Sequence, residues 1–190
     1  MRSFIAIEIP QDIKRALGGV LEELRKVYCD VKWVEPGSVH LTLKFLGEID
    51  PEKVLEIKEA LKKPLEGHRP FSLIAEGLGA FPRLESPRVI WVGLRGDLEK
   101  LAALQKDVEK TLSLLGFPEE DRPFKPHLTL GRMRSQKGRE ALVKRLREMS
   151  SKTLGSFRVD CLAQFRSELL PTGAKYTVLW KEGLGNLEGE

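Results

Sequence analysis

Apolar and polar side chains alternate from Arg2 to Ile9 and the run stops at Pro10, which predicts a strand followed by a helix opening at Gln11 and Asp12 and reaching about Tyr28. Val31–Val34 and Val39–Leu46 have the composition of strands, and the Glu35-Pro36-Gly37-Ser38 turn between them predicts that they pair. Asp50-Pro51-Glu52 reads as a helix start, with the helix expected to continue to about Lys63. Phe71–Leu78 and Val89–Leu94 are the next strands, separated by a Gly79–Arg88 loop that holds two prolines. Leu98, Leu101, Leu104, Val108, Leu112 and Leu115 recur at helical spacing between Asp97 and Gly116 and predict a long amphipathic helix with these residues on its buried face. His127–Gly131 follows as a strand, Lys137–Met149 as a helix, and Phe157–Phe165 with Tyr176–Trp180 as a closing strand pair. Gly183–Glu190, polar and glycine-rich, is expected to fray. Several strands adjoin in hairpin style, which favours an antiparallel α+β arrangement over a doubly wound parallel sheet. No GxGxxG or GxxxxGK[ST] loop is present, so a nucleotide cofactor is not indicated.

Composition narrows this picture only slightly. A chain of 190 residues can bury a core without disulfide or metal staples, as one large domain or two joined lobes. Hydrophobic residues at 41% and charged residues at 32% are a globular balance, with disorder confined to the ends. A net charge of +4 and a pI near 9.1 permit a polyanionic partner without identifying one. Cys29 and Cys161 stand 132 positions apart with no CxxC pair, which suggests neither a zinc knuckle nor a disulfide framework, but buried thiols in a reducing compartment. The amino-terminal MRSFIAIEIP has one basic residue, and no apolar run approaches the roughly 20 residues of a membrane span; a soluble, cytoplasmic monomer is expected. Asn occurs once, at Asn186, while Lys, Arg and Glu are abundant, a bias of proteins from hot environments.

The chemistry enters with a repeated word. His40-Leu41-Thr42-Leu43 recurs as His127-Leu128-Thr129-Leu130, 87 residues later, and uses two of the chain's three histidines. On a strand, residues two apart share a face, so each copy offers an imidazole and a hydroxyl to one surface and two leucines to a core. If the two halves pack about an approximate two-fold axis, both pairs converge on one cleft. In-line displacement at phosphorus needs a base on the attacking oxygen and an acid on the leaving oxygen, and histidine fills either role near neutral pH. Threonine hydroxyls, helped by a cation such as Arg132, would hold the non-bridging oxygens.

At these residues the sequence resembles the two-histidine (2H) phosphoesterases, specifically their RNA 2′,3′-cyclic phosphodiesterase branch, historically called 2′-5′ RNA ligases. The resemblance runs through RSFIAIEIP, HLTLKFLGE at 40 to 48, PRVIWVGL from Pro87, FKPHLTLGR at 124 to 132 and FRSELLPTGAKYTVL, with no departure inside either HxTx word. It implies a bilobal α+β fold over residues 1–190, one HxTx word per lobe at 40–43 and 127–130, and hydrolysis of a 2′,3′-cyclic phosphate at an RNA terminus to a 2′-phosphate, with no metal and no cofactor. It also implies roles: His127 as proton acceptor from water, His40 as proton donor to the departing 3′ oxygen, and Thr42, Thr129 and Arg132 as phosphate ligands. The reverse reaction would join ends through a 2′-5′ linkage. Phe45 lies one alternation from Leu43, on the core face by strict period, so stacking of a base on it stays open.

Blander readings apply elsewhere. A metal site on His40 and His127 lacks a third ligand. His68, Lys44, Lys125 and Arg134 are expected on solvated surfaces, and Trp33, Trp91 and Trp180 in the core. Arg166 and Ser167 receive no role. Two other functions compete: a phosphodiesterase of small cyclic nucleotides or 2′-5′ oligonucleotides using the same site, and a module that binds RNA ends without turning them over, by salt-sensitive contacts.

Overall fold

The computed structural model describes residues 1–185. In chain order the elements are β1 (Arg2–Glu8), α1 (Gln11–Arg25), β2 (Val31–Trp33), β3 (His40–Glu48), α2 (Lys53–Glu66), β4 (Phe71–Arg83), β5 (Ser86–Gly96), α3 (Leu98–Ser113), β6 (Leu128–Met133), α4 (Arg139–Glu148), β7 (Thr153–Val159), β8 (Cys161–Leu170) and β9 (Gly173–Gly183). The strands form two sheets, β3-β1-β8-β9 and β2-β6-β5-β4-β7, with every neighbouring pair antiparallel. The fold is a bilobal α+β arrangement, as the sequence predicts. The strand orders β3-β1-β8-β9 and β6-β5-β4-β7 correspond one to one, with β2 added at the edge of the second sheet.

Neither sheet comes from one half of the chain. The first takes β1 and β3 from the amino-terminal half and closes with β8 and β9 from the far end. The helices cross over too: α1 follows β1 yet packs against β7 of the other sheet, and α3 follows β5 yet packs against β3. α1 buries Ile13, Leu17, Val20, Leu21 and Leu24, α2 buries Ile57, Leu61 and Leu65, and these join the strand leucines and isoleucines in one continuous core. A second, smaller cluster of Phe4, Ala6, Ala163 and Phe165, with Tyr176 against it, occupies the other face of the first sheet.

Several expectations change with tertiary pairing. Val31–Trp33 and His40–Glu48 do not pair; β2 joins β6 and β3 joins β1, because a 3-10 turn at Pro36–Ser38 carries the chain from one sheet to the other. The expected Gly79–Arg88 loop belongs to a hairpin: β4 and β5 pair out to Arg83 and Ser86, and both prolines lie within the strands. Phe157–Phe165 is two strands in different sheets, divided at Asp160. Leu98, at the first turn of α3, is exposed, and Glu109 takes a place among the buried leucines. Cys29 and Cys161 are half-buried free thiols. The expected fraying fails at its start, since Leu184 is buried and the Gly185 N–H donates to the carbonyls of Leu65 and His68; residues 186–190 lie outside the described residues.

The largest departure from period-two reading lies in the motif strands. Thr42 pairs with Ala6 and Lys44 with Ile5, so Leu43 is an extra residue, a bulge that turns the following side chains over. Lys44, expected in solvent, is therefore 3% exposed on the core side. Its ammonium donates to Glu109 Oε2 at 2.8 Å and to the Pro118 carbonyl at 2.8 Å, while the Glu120 N–H donates to the same carboxylate oxygen at 3.2 Å. A strand, a helix and the segment leading to His127 thus meet on one buried ion pair. His68 is likewise not solvated: it is half-buried and lies 2.6 Å from Asp107 Oδ2, joining the start of β4 to α3. Removing one partner of a buried pair leaves the other charge uncompensated. Lys44→Met is expected to lower unfolding free energy by about 3–5 kcal/mol, read by urea denaturation, and Lys44→Met/Glu109→Leu to recover most of that loss.

Candidate active site

The two HxTx words lie on strands that touch where the sheets meet: β3 and β6 are in contact, and the Val34 N–H donates to the Leu130 carbonyl at 2.9 Å. His40 opens β3, whereas His127 sits one residue before β6, slightly outside the strand predicted for it. In each word the leucines are buried and the histidine and threonine are half-buried, as alternation requires. Each word also ends in the same irregularity. In β6, Thr129 pairs with Trp91 and Gly131 with Ile90, leaving Leu130 as the extra residue, in the place Leu43 holds in β3. Flat alternation would put the fifth residue after each histidine on the opposite face. The bulge brings it back, so Phe45 shares the face of His40 and Thr42, and Arg132 shares that of Thr129. Phe45 is 67% exposed beside Phe4, with ring centroids 6.1 Å apart.

Each imidazole packs on a phenylalanine from two strands away. His40 lies 4.4 Å from Phe165 between ring centroids, and His127 4.9 Å from Phe81. Phe165 pairs with Phe4 and Phe81 with Val89, the strand partners of Phe45 and Arg132 respectively, so these two phenylalanines are equivalent in the two sheets. Tyr176 adds an edge against His40 at 5.0 Å and 90°. The indole of Trp91 lies against Phe81, and its buried Nε1 has no hydrogen-bond partner among the described residues. Of the tryptophans expected in the core, only Trp180 is fully buried; Trp33 and Trp91 are half-buried.

The His127 imidazole is held by the carbonyl two residues back. His127 Nδ1 is 2.7 Å from the Lys125 carbonyl, which fixes the proton on Nδ1 and leaves the Nε2 lone pair available. The Ser38 carbonyl favours the protonated form of His40. Burial acts the other way on both rings. It pushes His40 down to about 4, with the Lys14 charge in the same direction, against the Glu8 carboxylate and the Ser38 carbonyl. Burial also lowers His127, the Lys125 carbonyl opposes this, and the Arg132 charge adds to it. Arg132 therefore stands close enough to His127 to act on it electrostatically. Lys125 and Arg134 are exposed, as expected for solvated cations. A cavity of about 480 Å³ opens beside His40, with Lys14, Lys175, Tyr176 and Thr172 in its walls.

Phe165, Tyr176, Phe81, Trp91 and Lys14 escape a reading of the sequence. Phe165 and Tyr176 stand within or beside the FRSELLPTGAKYTVL segment, but only strand pairing brings them under His40. Phe81 falls in the expected loop. A histidine whose folded pKa is depressed stabilises the fold above its unfolded value of about 6.5 and loses that contribution as pH falls toward the folded value. Relative to His40→Gln, the wild-type protein is expected to lose on the order of 3 kcal/mol of unfolding free energy between pH 6.5 and 4, measured by denaturant titration of both proteins across that range.

The comparisons agree with this geometry. A family model described as LigT like phosphoesterase matches the chain twice, over residues 7–91 and 92–176. An Archaeoglobus fulgidus protein named RNA 2′,3′-cyclic phosphodiesterase is 38% identical over 176 residues, covering 93% of this chain and 96% of the relative. One of the same name from Methanothermobacter thermautotrophicus is 33% identical over 178 residues, covering 93% and 95%. The crystal structure of a Thermus thermophilus protein superposes with a TM-score of 0.81 at 30% identity, covering 98% of this chain and all of that one. E. coli LigT crystallised with 3′-AMP shares the fold, with a TM-score of 0.75 at 24% identity over 97% of this chain and 98% of that one. With two successive matches spanning nearly the whole sequence, one for each histidine word, the chain belongs to the LigT-like phosphoesterase family.

Proposed function

We propose that the protein hydrolyses a terminal 2′,3′-cyclic phosphate on RNA to a 2′-phosphate, by acid and base catalysis from its two motif histidines and without a metal. The observation that carries this reading is an imidazole and a threonine in each of two strands that touch, backed by relatives named for that activity at 33–38% identity over most of the chain. His127 Nε2 takes a proton from water as its oxygen bonds to phosphorus. The bond to O3′ breaks, and His40 supplies the proton to that oxygen. Thr42, Thr129 and Arg132 hold the non-bridging oxygens, where charge gathers in the transition state. Phe45, exposed on the face of His40, offers a ring for a base to stack on. Ligation through a 2′-5′ linkage is the same displacement with an RNA 5′-hydroxyl in place of water as the attacking oxygen, and water at its ordinary concentration favours hydrolysis.

The electrostatics add a consequence. An acid with a pKa near 4 is protonated in roughly one free enzyme molecule per thousand at pH 7. The bound phosphate anion raises it, so the proton arrives with the substrate. kcat/KM reports the free enzyme, and its maximum is expected below pH 6.5, between His40 near 4 and the depressed His127. The kcat profile extends to higher pH. A kcat/KM that stays level up to pH 8 would show that His40 is not held near 4 in the free enzyme.

The direct test is an RNA oligonucleotide ending in a 2′,3′-cyclic phosphate, incubated with the protein in EDTA, with the product's phosphate located. A 2′-phosphate is expected, and His40→Ala and His127→Ala should each lower turnover by about 10²- to 10⁴-fold while leaving the circular dichroism unchanged. Loss of turnover in EDTA that a divalent ion restores would replace this mechanism with a metal-dependent one.

A further inference from the structure

The two lobes place equivalent groups under the two histidines, and where they differ they differ in room. Beside Thr42 the neighbouring strands present small side chains, Ala6 and then Ala163. Beside Thr129 the equivalent positions are Trp91 and Gly79, and the indole lies so close over Gly79 that a Cβ there would collide with its ring. On the His127 side an aromatic ring thus takes that room, and the cavity of about 360 Å³ that borders Trp91 and Gly93 is not lined by His127. On the His40 side lies the cavity of about 480 Å³, whose walls include Lys14 from α1 and Thr172, Lys175 and Tyr176 from the β8–β9 hairpin. That volume is within the range of about 300–1,000 Å³ typical of small-molecule sites.

Opening a cyclic phosphate is asymmetric in the same sense. The oxygen that leaves phosphorus, O3′, stays on the ribose, so the terminal nucleoside and the chain 5′ to it lie on the side of the acid. The opposite side has to admit only water. With His40 as the proton donor, a premise this inference takes from the proposed function, the nucleoside falls on the cavity side and water on the side that Trp91 narrows.

We propose that the cavity beside His40 receives the terminal nucleoside and that Lys14 and Lys175 hold the phosphodiester 5′ to it, which makes an oligonucleotide end the substrate of this site in preference to a free cyclic mononucleotide. The electrostatics of the wall fit an anion. Lys14 Nζ gives one hydrogen bond to the Gly37 carbonyl at 3.0 Å and keeps its remaining donors. The carboxylate in the wall, Glu8, is held by Lys181 at 2.6 Å. Leu170 and Val178, both exposed at the edge of the same cavity, offer apolar surface to a base.

The test compares two substrates in EDTA: adenosine 2′,3′-cyclic phosphate, and a tetranucleotide of adenosines ending in the same cyclic phosphate. The wild-type kcat/KM is expected to favour the tetranucleotide by about tenfold or more at low salt, the worth of one charge-assisted hydrogen bond. This preference should shrink as salt rises. Lys175→Ala is expected to reduce the ratio of the two kcat/KM values several-fold and to flatten the salt dependence for the tetranucleotide by a slope of about 0.7 per lost contact, with Lys175→Arg restoring most of both. A wild-type ratio near one, or a Lys175→Ala variant that lowers both substrates by the same factor, would overturn the subsite and leave the proposed reaction standing. Turnover of neither substrate would overturn both.

Discussion

The extra residue that ends each HxTx word, Leu43 in β3 and Leu130 in β6, sets which of the following side chains share the face of the histidine and threonine and which face the core. A strand without it would send Phe45 and Arg132 away from the histidines that precede them, because the side-chain period of a strand is two. With it, Phe45 joins His40 and Thr42 on one face of β3, and Arg132 joins Thr129 on one face of β6. The same turn sends Lys44 inward, where burial obliges it to find a carboxylate. It finds Glu109 and, through Pro118 and Glu120, the segment that ends at His127. The bulge in β3 therefore turns Phe45 toward the face of His40 and, through Lys44, ties β3 to α3 and to the segment that ends at His127.

The electrostatics of the site follow from placing paired polar groups over an aromatic floor. Phe165 and Phe81 remove water from one face of each imidazole, and burial is the leading cause that lowers both pKa values. The carbonyls of Ser38 and Lys125 oppose that, and the Lys125 carbonyl fixes the orientation of the His127 ring. Around this shared plan the lobes diverge: Lys14 and Glu8 bear on His40, Arg132 on His127, and Trp91 stands where the first sheet has Ala6. A pseudo-symmetric scaffold thus gives its two motif histidines unequal neighbours.

Much of the fold is legible in the sequence, and the places where it is not share one cause. Runs such as Arg2–Glu8, Leu98–Ser113 and Arg139–Glu148 announce themselves because their periodicity is local. The pairing expected of β2 with β3 does not form, and the β4–β5 hairpin is longer than its prolines suggest, because pairing depends on partners far along the chain. Lys44 and His68 sit in environments their composition does not foretell, for a related reason. Composition says what a residue prefers, and the presence of Glu109 or Asp107 opposite it decides whether that preference is met.

The candidate site groups are written in the chain itself: the repeated HxTx word names two imidazoles and two hydroxyls, and strand alternation puts each pair on one face, since covalent geometry and a period of two need no tertiary partner. What surrounds those groups exists only once the chain has folded. Sheets shared between the two halves of the chain bring Phe165 and Tyr176 to His40 from more than a hundred residues away, and bulges return Phe45 and Arg132 to the cleft. Burial, pKa and the room beside each histidine are sums over such distant neighbours, which no local window of sequence contains.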